Sequence, residues 1–281
     1  MKSVAGKIVL VTGAAMGMGR LYAQRAVLEG AKAVVLWDID ADSLAATTAE
    51  LATPGVNIFP YLVDISSLGA ISDAAERVRA EVGHPDVLIN NAGIVRSGYF
   101  WDHHSERDTE LTMRVNAIAP MQIAAEFLPG MIEGSGPRRI LNVASAAGTV
   151  SNPKMSVYAA SKWAVIGWSD SLRLELVRAG HAHVGVTTLA PSYISTGMFD
   201  GARGPLLTPI MAPEYVVDRA WAAMLTARPF LMLPWTVSLG RALNGLLPQR
   251  TFDFVAGRLF GVHRSMDDFT GRGAQKSPKK S

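Results

Sequence analysis

The chain has 281 residues, of which 49% are hydrophobic and 18% charged, with a formal net charge of +3. This composition supplies enough apolar side chains for a large folded core and too few charges for a disordered chain. The absence of cysteine excludes disulfide bonds, thiolate zinc sites and a cysteine nucleophile.

Short β-rich runs alternate with helix-length amphipathic runs, which is typical of βαβ units. Strands are predicted at residues 8–11, 33–37, 56–62, 87–89, 140–143, 184–189 and 230–233. Helices are predicted at residues 19–29, 41–51, 67–82, 109–132, 157–179 and 214–227. Because the strands are apolar throughout, we expect an α/β fold with a doubly wound parallel sheet of about seven strands and helices on both faces.

The continuous alternation of strands and helices predicts a single domain over residues 1–265. Residues 192–213, rich in Gly, Pro and Thr, are predicted to form a loop that covers a substrate. Residues 229–262 are predicted to form an apolar, helical C-terminal extension, and residues 266–281 a flexible basic tail. No basic cluster precedes that tail on a folded element, which argues against a nucleic-acid partner.

A glycine-rich turn joins the first predicted strand to the helix after it. Gly13, Gly17 and Gly19 let the backbone turn tightly and approach a pyrophosphate, whose charge the helix N-terminus favours. The same pattern also occurs in purely structural turns. The glycines alone therefore leave a phosphate-binding loop and a structural turn open.

An acidic residue ends the second predicted strand. Asp38 follows Gly19 by 19 residues, close to the spacing of about 20 at which a carboxylate meets the ribose hydroxyls of a dinucleotide. Its charge would repel a 2′-phosphate, and neither Met16 nor Ile39 supplies a cation for that phosphate. Asp38 therefore favours NAD over NADP, although an aspartate here can also cap a helix.

Several separated motifs occur in the order found in short-chain dehydrogenases/reductases, and residues 7–196 resemble that family. The motifs are Thr12-Gly-x-x-x-Gly-x-Gly19, Asn90-Asn-Ala-Gly93, Asn116, Ser145 and Tyr158-x-x-x-Lys162. The resemblance implies a Rossmann-type fold, hydride transfer between a nicotinamide and an alcohol or ketone, and a homodimer or homotetramer. It also implies that Asn116 holds a water linking the lysine to solvent.

The predicted catalytic residues are Asn116, Ser145, Tyr158 and Lys162. Tyr158 and Lys162 are four residues apart on a predicted helix, so they share a face with Cβ atoms roughly 6 Å apart. A tyrosine base working near neutral pH needs a pKa well below its ordinary value of about 10, and Lys162 can help lower it. Ser145 follows an apolar strand and can hydrogen-bond a substrate oxygen. Each residue alone is commonplace, but their joint spacing favours a catalytic site.

The resemblance extends to the cofactor site and, by branch, to the substrate. Implied cofactor contacts are Gly13, Met16, Gly17, Met18, Gly19, Asp38, Ile39, Asp64, Ile65, Asn91, Ala92, Gly93, Tyr158, Lys162, Ile194 and Thr196. Asn90 is predicted to brace neighbouring strands, and Ser192 stands where the family has glycine. The run from Val34 to Asp40 resembles the branch that oxidises retinoids, steroids and other lipid alcohols, so we expect an apolar secondary alcohol or its ketone.

The C-terminal extension leaves three interpretations open. Its first twelve residues, 229–240, carry no charge but are too few to span a bilayer of about 30 Å, and Pro234 interrupts them. They could pack at a subunit interface, form the wall around a lipophilic substrate, or contact a membrane surface peripherally. The N-terminus carries no signal-peptide pattern, so we expect a cytoplasmic protein, membrane-associated in the third case.

Two rival functions remain at this point, and no metal is predicted. One rival is an NADPH-dependent carbonyl or acyl-chain ketoreductase, and the other is a non-catalytic dinucleotide-binding sensor or scaffold.

His103 and His104 are adjacent, and His181 and His183 alternate, so neither pair places two imidazoles on one helical face.

Overall fold

A computed structural model describes residues 1–271 and contains one sheet of seven parallel strands. The strands are β1 (Ile8–Thr12), β2 (Ala33–Asp38), β3 (Asn57–Leu62), β4 (Val87–Asn90), β5 (Arg138–Val143), β6 (Val184–Pro191) and β7 (Phe230–Leu233). Their order across the sheet is β3-β2-β1-β4-β5-β6-β7. The strand order changes direction between β1 and β4. The loops that follow these two strands therefore lead to opposite sides of the sheet and leave a crevice at the carboxyl ends of the strands. The predicted fold class is confirmed.

Helices cover both faces of this sheet. They are α1 (Gly17–Leu28), α2 (Ala41–Leu51), α3 (Leu68–Glu81), α4 (Leu111–Met113), α5 (Ala119–Glu133), α6 (Ser156–Arg178), α7 (Pro213–Leu225), α8 (Trp235–Leu246) and α9 (Gln249–Phe254). Asp40 caps α2 by accepting a hydrogen bond from the Ser43 backbone, and Ser67 caps α3 in the same way. One strand differs from the prediction, since most of β3 is exposed or half-buried at the sheet edge.

The predicted helix 109–132 is not continuous. Two π-helical segments, Ser105–Glu110 and Arg114–Ile118, flank α4, and α5 follows the second segment. Pro120 has no N–H to donate to the carbonyl of Asn116 four residues earlier, so a regular α-helical turn cannot close there. The irregular segment contains Asn116, one of the predicted site residues.

Two apolar layers lie on the two faces of the sheet and hold the helices in place. On one face Tyr22 of α1 stacks on Trp221 of α7 with ring centres 6.4 Å apart. On the other face Trp37 of β2 packs against Phe127 of α5 at 6.0 Å. These large rings contribute to the apolar layers that fix the helices against the strands.

The C-terminal part of the chain folds back over the loop that follows β6. The Leu206 backbone donates to the Phe260 carbonyl at 2.8 Å, and the Arg203 backbone donates to Ser265 at 2.8 Å. Packing continues past residue 265, where the sequence predicts the end of the domain, because Met266 is 2% exposed. Residues 272–281, the remainder of the predicted basic tail, lie outside the described residues.

Candidate active site

The carboxyl ends of the strands border a cleft of about 510 Å³ that brings together nearly all the predicted site residues. The predicted residues that line it are Gly13, Met16, Gly17, Met18, Asp38, Ile39, Asp64, Ile65, Asn91, Ala92, Gly93, Ser145, Tyr158, Lys162, Ile194 and Thr196. Gly19 and Asn116 do not line the cleft. Both residues instead support the neighbouring segments that line the cleft.

The glycine loop fits closely against the segment after β4. Gly13 has φ +64°, and a Cβ added to it would lie 2.9 Å from the Ala92 Cα. A Cβ on Gly19 would overlap the carbonyl oxygen of Gly13. The Asn91 side chain donates to the carbonyls of Thr12 and Gly13 at 3.0 and 3.2 Å. Gly19 therefore supports the loop by close packing rather than by contributing a surface to the cleft.

Two polar side chains join the strands beneath the cleft. The Thr12 hydroxyl accepts from the backbone N–H groups of Asn91 and Ala92, both at 3.1 Å. The Asn90 side chain donates to Asn142 of β5 at 2.8 Å, which confirms its predicted bracing role. These bonds fix the backbone of the segment that forms the cleft floor.

Asp38 both lines the cleft and organises the turns around it. Its carboxylate accepts hydrogen bonds from the backbone of Ala15 at 2.8 Å, Ile39 at 2.8 Å and Asp40 at 3.1 Å. The first bond connects the end of β2 to the glycine loop. Helix α2 is capped by Asp40 and not by Asp38, and the NAD preference inferred from Asp38 stays a prediction.

Ser145, Tyr158 and Lys162 converge at one end of the cleft, and each is less than 10% exposed. The Lys162 ammonium donates to the Val143 carbonyl at 3.0 Å and lies 5.8 Å from the centre of the Tyr158 ring. The Ser145 hydroxyl accepts from the Ala147 backbone at 3.2 Å. The spacing of Tyr158 and Lys162 along α6 accounts for their shared face.

Burial dominates the electrostatics of this pair. It raises the pKa of Tyr158 to about 12, while a hydrogen bond from Ser145 acts in the opposite direction. Burial also lowers the pKa of Lys162 to about 8. The high tyrosine pKa is the reverse of the value predicted for a working base. The reason is that desolvation of the buried phenolate outweighs the hydrogen bond from Ser145, and the Lys162 ammonium, which is bonded to the Val143 carbonyl, does not offset it.

Asn116 is buried in the π-helical segment and hydrogen-bonds the backbone of the segment after β4, which lines the cleft. Its side chain accepts from the Ile94 backbone at 2.8 Å, and donates to the Ile94 carbonyl at 2.9 Å and to Ser161 at 3.2 Å. A Cβ on Gly93 would lie 3.1 Å from the Asn116 carboxamide oxygen and 3.6 Å from the Lys162 ammonium. Asn116 therefore positions the segment that contacts the lysine.

The loop after β6 contributes the remaining wall of the cleft. Ile194 pairs with Met211 in an isolated bridge, and a Cβ on Gly17 would lie 3.6 Å from the Thr196 Cβ. Thr196 thus lies beside the glycine loop. Ser192 does not have a positive φ, and its backbone donates to Leu233 of β7 at 2.7 Å. The family's glycine is not required for this backbone path.

Several cleft residues were not among the predicted site residues, and three of them lie close to the predicted motifs. Arg96 lies three residues after the Asn-Asn-Ala-Gly motif and 4.0 Å from Asp108, and Met198 and Phe199 follow Thr196 closely. Arg96 is a cation in an otherwise apolar run, a signal visible in the sequence. Met198 and Phe199 carry no such signal, because apolar residues in a loop are commonplace.

A second, smaller cavity of about 130 Å³ adjoins the cleft and shares Ser145, Ser192 and Phe199 with it. Its remaining lining comes from the loop after Ser145, from the loop after β6 and from the C-terminal extension. Apolar residues in this lining include Val150, Met155, Val237, Leu239, Leu243, Phe252, Val255, Phe260 and Val262. The extension therefore forms one wall of an apolar pocket whose floor carries the Ser145 hydroxyl.

Comparison with known proteins places the chain among oxidoreductases. The family described as short chain dehydrogenase matches residues 7–205. The chain is 36% identical to estradiol 17-beta-dehydrogenase 11 of Pongo abelii, over 89% of this chain and 82% of that protein. It is 34% identical to epidermal retinol dehydrogenase 2 of Mus musculus, over 96% of this chain and 87% of that protein.

Solved structures share the fold. A short chain dehydrogenase/reductase from Burkholderia phymatum in complex with NAD has 26% identity and a TM-score of 0.79, covering 88% of this chain and 95% of its own. A metagenomic short-chain oxidoreductase in complex with NADP has 28% identity and a TM-score of 0.67, covering 82% and 96%. Both kinds of nicotinamide dinucleotide therefore occur among proteins of this shape.

Proposed function

The chain belongs to the short-chain dehydrogenase family, and from this premise we propose that it uses NAD to oxidise an apolar secondary alcohol, or to reduce the corresponding ketone. The observation that carries this proposal is the position of Ser145, Tyr158 and Lys162. All three line the cleft, and Ser145 also lines the adjoining apolar pocket, so a dinucleotide in the cleft and a lipophilic substrate in the pocket would meet beside the Ser145 hydroxyl.

The residues of the cleft fit a nicotinamide dinucleotide. The glycine loop opens onto the N-terminus of α1, where a Cβ at Gly13 would strike the chain opposite and narrow the cleft. Backbone N–H groups and the positive end of the helix dipole suit a pyrophosphate. The Asp38 carboxylate at the end of β2 opposes a 2′-phosphate, which supports NAD. A bound dinucleotide supplies the hydride acceptor or donor.

Tyr158 moves the proton of the reaction. In oxidation its phenolate oxygen accepts the proton of the substrate hydroxyl, and in reduction its hydroxyl donates one to the substrate oxygen. With burial holding the pKa at about 12, the phenolate needs positive charge nearby to form near neutral pH. The positive nicotinamide of an oxidised dinucleotide in the cleft would add to the charge of the Lys162 ammonium, which by itself does not offset the burial.

Ser145, Lys162 and Asn116 prepare the site for this proton transfer. The Ser145 hydroxyl orients the substrate oxygen and stabilises the charge that develops on it. Lys162 supplies positive charge and can hydrogen-bond a ribose hydroxyl. Asn116 acts as a positioning residue through Ile94, and a water relay through it stays a prediction of the family resemblance.

The apolar pocket supports a lipophilic substrate. Its polar lining is limited to Ser145, Thr149, Asn152, Ser192, Tyr193 and the Thr208–Thr236 pair, whose hydroxyls lie 2.9 Å apart. Named relatives act on estradiol and retinol, as their names state. Of the three interpretations of the C-terminal extension, the wall around a substrate has this direct support. Assembly into two or four copies stays a prediction, checked by light scattering.

A two-cofactor substrate screen tests the proposal. Purified protein is mixed with NAD or NADP and a panel of aliphatic, steroid and retinoid alcohols, and reduced cofactor is followed by absorbance. We expect turnover with NAD and apolar secondary alcohols. A clear preference for NADPH with ketones would support the ketoreductase alternative. Tight NAD binding without hydride transfer to any panel member would support the sensor alternative.

A further inference from the structure

Helix α8 carries a stripe of apolar side chains that is largely exposed. Trp235, Leu239, Ala242 and Leu246 are spaced by four, three and four residues, so they lie on one side of the helix. Trp235 is 65% exposed and Leu246 is 79% exposed. The outward face of a surface helix is ordinarily polar, so this stripe is unusual.

The stripe continues onto the neighbouring segments. Leu206 and Leu207 in the loop after β6, and Phe254 and Leu259 after α8, are each more than half exposed. Backbone and hydroxyl bonds hold that loop to the extension, from Leu206 to Phe260 and between the side chains of Thr208 and Thr236. We name the exposed set the apolar platform: Leu206, Leu207, Trp235, Leu239, Leu246, Phe254 and Leu259.

The segment that contributes most of the platform carries mainly positive charge. Residues 234–262 contain three arginines, Arg241, Arg250 and Arg258, against the single acid Asp253. All three arginines are exposed. Arg250, Phe254 and Arg258 follow one another at intervals of four residues, a pattern in which long basic side chains flank an apolar anchor and reach for phosphate oxygens.

We propose that the apolar platform docks on the surface of a lipid bilayer that carries anionic headgroups. The arginines complement those headgroups, whereas a symmetric contact between two copies would bring like charges together. An exposed tryptophan beside leucines suits the boundary between headgroups and acyl chains. No helix within residues 1–271 is long and apolar enough to cross a membrane.

Docking here would connect the membrane to the pocket. Leu239 lines the pocket and is also 39% exposed, so the pocket wall and the platform share a residue. A lipophilic alcohol could then enter from the bilayer without crossing water, a consequence that rests on the proposed function. The docking itself does not depend on catalysis and can be measured without turnover.

The test compares two double variants with the same substitutions at different places. Trp235→Ser with Leu246→Ser removes the platform anchors, and Trp101→Ser with Leu28→Ser removes equally apolar residues that are 77% and 75% exposed elsewhere. Each protein is floated with phosphatidylcholine vesicles, with and without about one third phosphatidylserine. We expect the platform variant to lose vesicle binding about tenfold and the control to bind like the wild type.

A charge variant gives a second, independent measurement. Arg250→Gln with Arg258→Gln is expected to lose the extra binding that phosphatidylserine confers on the wild type, and this extra binding should fall with salt. Equal vesicle binding by both double variants, or no binding by the wild type, would overturn the proposal. Concentration-dependent self-association that only the platform variant lacks would assign the surface to a second copy instead. If the platform variant does not fold, the charge variant decides.

Discussion

The Lys162 ammonium lies 5.8 Å from the centre of the Tyr158 ring and donates a hydrogen bond to the backbone carbonyl of Val143 at 3.0 Å. Both side chains are almost fully buried. The protein therefore holds a cation and a potential anion in an apolar setting that favours neither charge. Such an arrangement costs folding stability and is typical of a site that has a chemical task.

Replacing Lys162 by Met tests this cost. Burial lowers the lysine pKa from 10.5 to about 8, so below pH 8 the folded protein carries a penalty of about 3 kcal/mol. After allowing about 1 kcal/mol for the lost hydrogen bond, Lys162→Met should be more stable by about 2 kcal/mol at pH 7. Above pH 8 the unfolded chain binds more protons, so the wild type gains stability and the gap narrows. Urea unfolding at pH 7 and 9.5 measures it, and a gap that widens with pH would contradict the assignment.

Tyr158→Phe removes one hydroxyl and keeps the ring. The ring packs edge-on against Phe199 with centres 6.1 Å apart, so folding and NAD binding should be preserved. Turnover of a true substrate should fall by about 10²- to 10⁴-fold because the proton acceptor is lost. Steady-state kinetics with NAD titration separate the two effects. Turnover at the wild-type rate would remove Tyr158 from the mechanism.

Gly19→Ala should disable the glycine loop. Its new methyl group would overlap the Gly13 carbonyl oxygen, so either α1 or the loop must move. We expect loss of NAD binding, measured by calorimetry, together with a lower melting temperature. The matched control is Gly167→Ala in α6, where a Cβ meets no atom within 4 Å. That change should raise stability by about 0.5 to 1 kcal/mol, since alanine favours helix.

Asp38→Asn should shift cofactor choice. Removing the negative charge relieves repulsion of a 2′-phosphate, so the ratio of kcat/KM for NADP to that for NAD should rise about tenfold. The ratio is informative because loss of the hydrogen bond to Ala15 would affect both cofactors alike. Asp42→Asn, in the first turn of α2 and outside the cleft, serves as the control. An unchanged ratio in the Asp38 variant would assign that residue to structure alone.

Gly240→Leu tests the pocket. A Cβ at Gly240 would lie 3.8 Å from the Val150 methyl group, so a leucine there extends into the cavity. Turnover of a steroid-sized alcohol should fall about tenfold, whereas a small cyclic alcohol should react at the wild-type rate. Gly245→Leu is the control, because that glycine lies on the same helix with open space around it. Equal losses for both alcohols would argue for a general folding defect.

Much of the fold and the cleft could be predicted from sequence because the signals are local. Apolar strands, glycine spacing and the interval between Tyr158 and Lys162 each fix geometry within a few residues. The same reasoning missed the π-helical segment around Asn116, although Pro120 marks it. It also predicted a cofactor contact for Gly19, which supports the glycine loop without lining the cleft, and spacing alone cannot distinguish these two roles.

Features that depend on distant parts of the chain could not be predicted. The pocket forms only where the extension meets the loop after Ser145. Met266 is buried because it packs in a cluster with Met155 and Tyr158, more than 100 residues earlier in the chain. The rise in the Tyr158 pKa likewise follows from burial by residues such as Phe199, which lie far along the sequence. Tertiary packing, rather than local pattern, determines each of these.

The pocket wall formed by residues 205–262 has a consequence for how specificity could change. The groups proposed to handle the proton all precede residue 163, whereas much of the surface that a substrate would touch comes from the final quarter of the chain. Exchange of that quarter between relatives could therefore give catalysts that share one proton-transfer apparatus and accept differently shaped molecules.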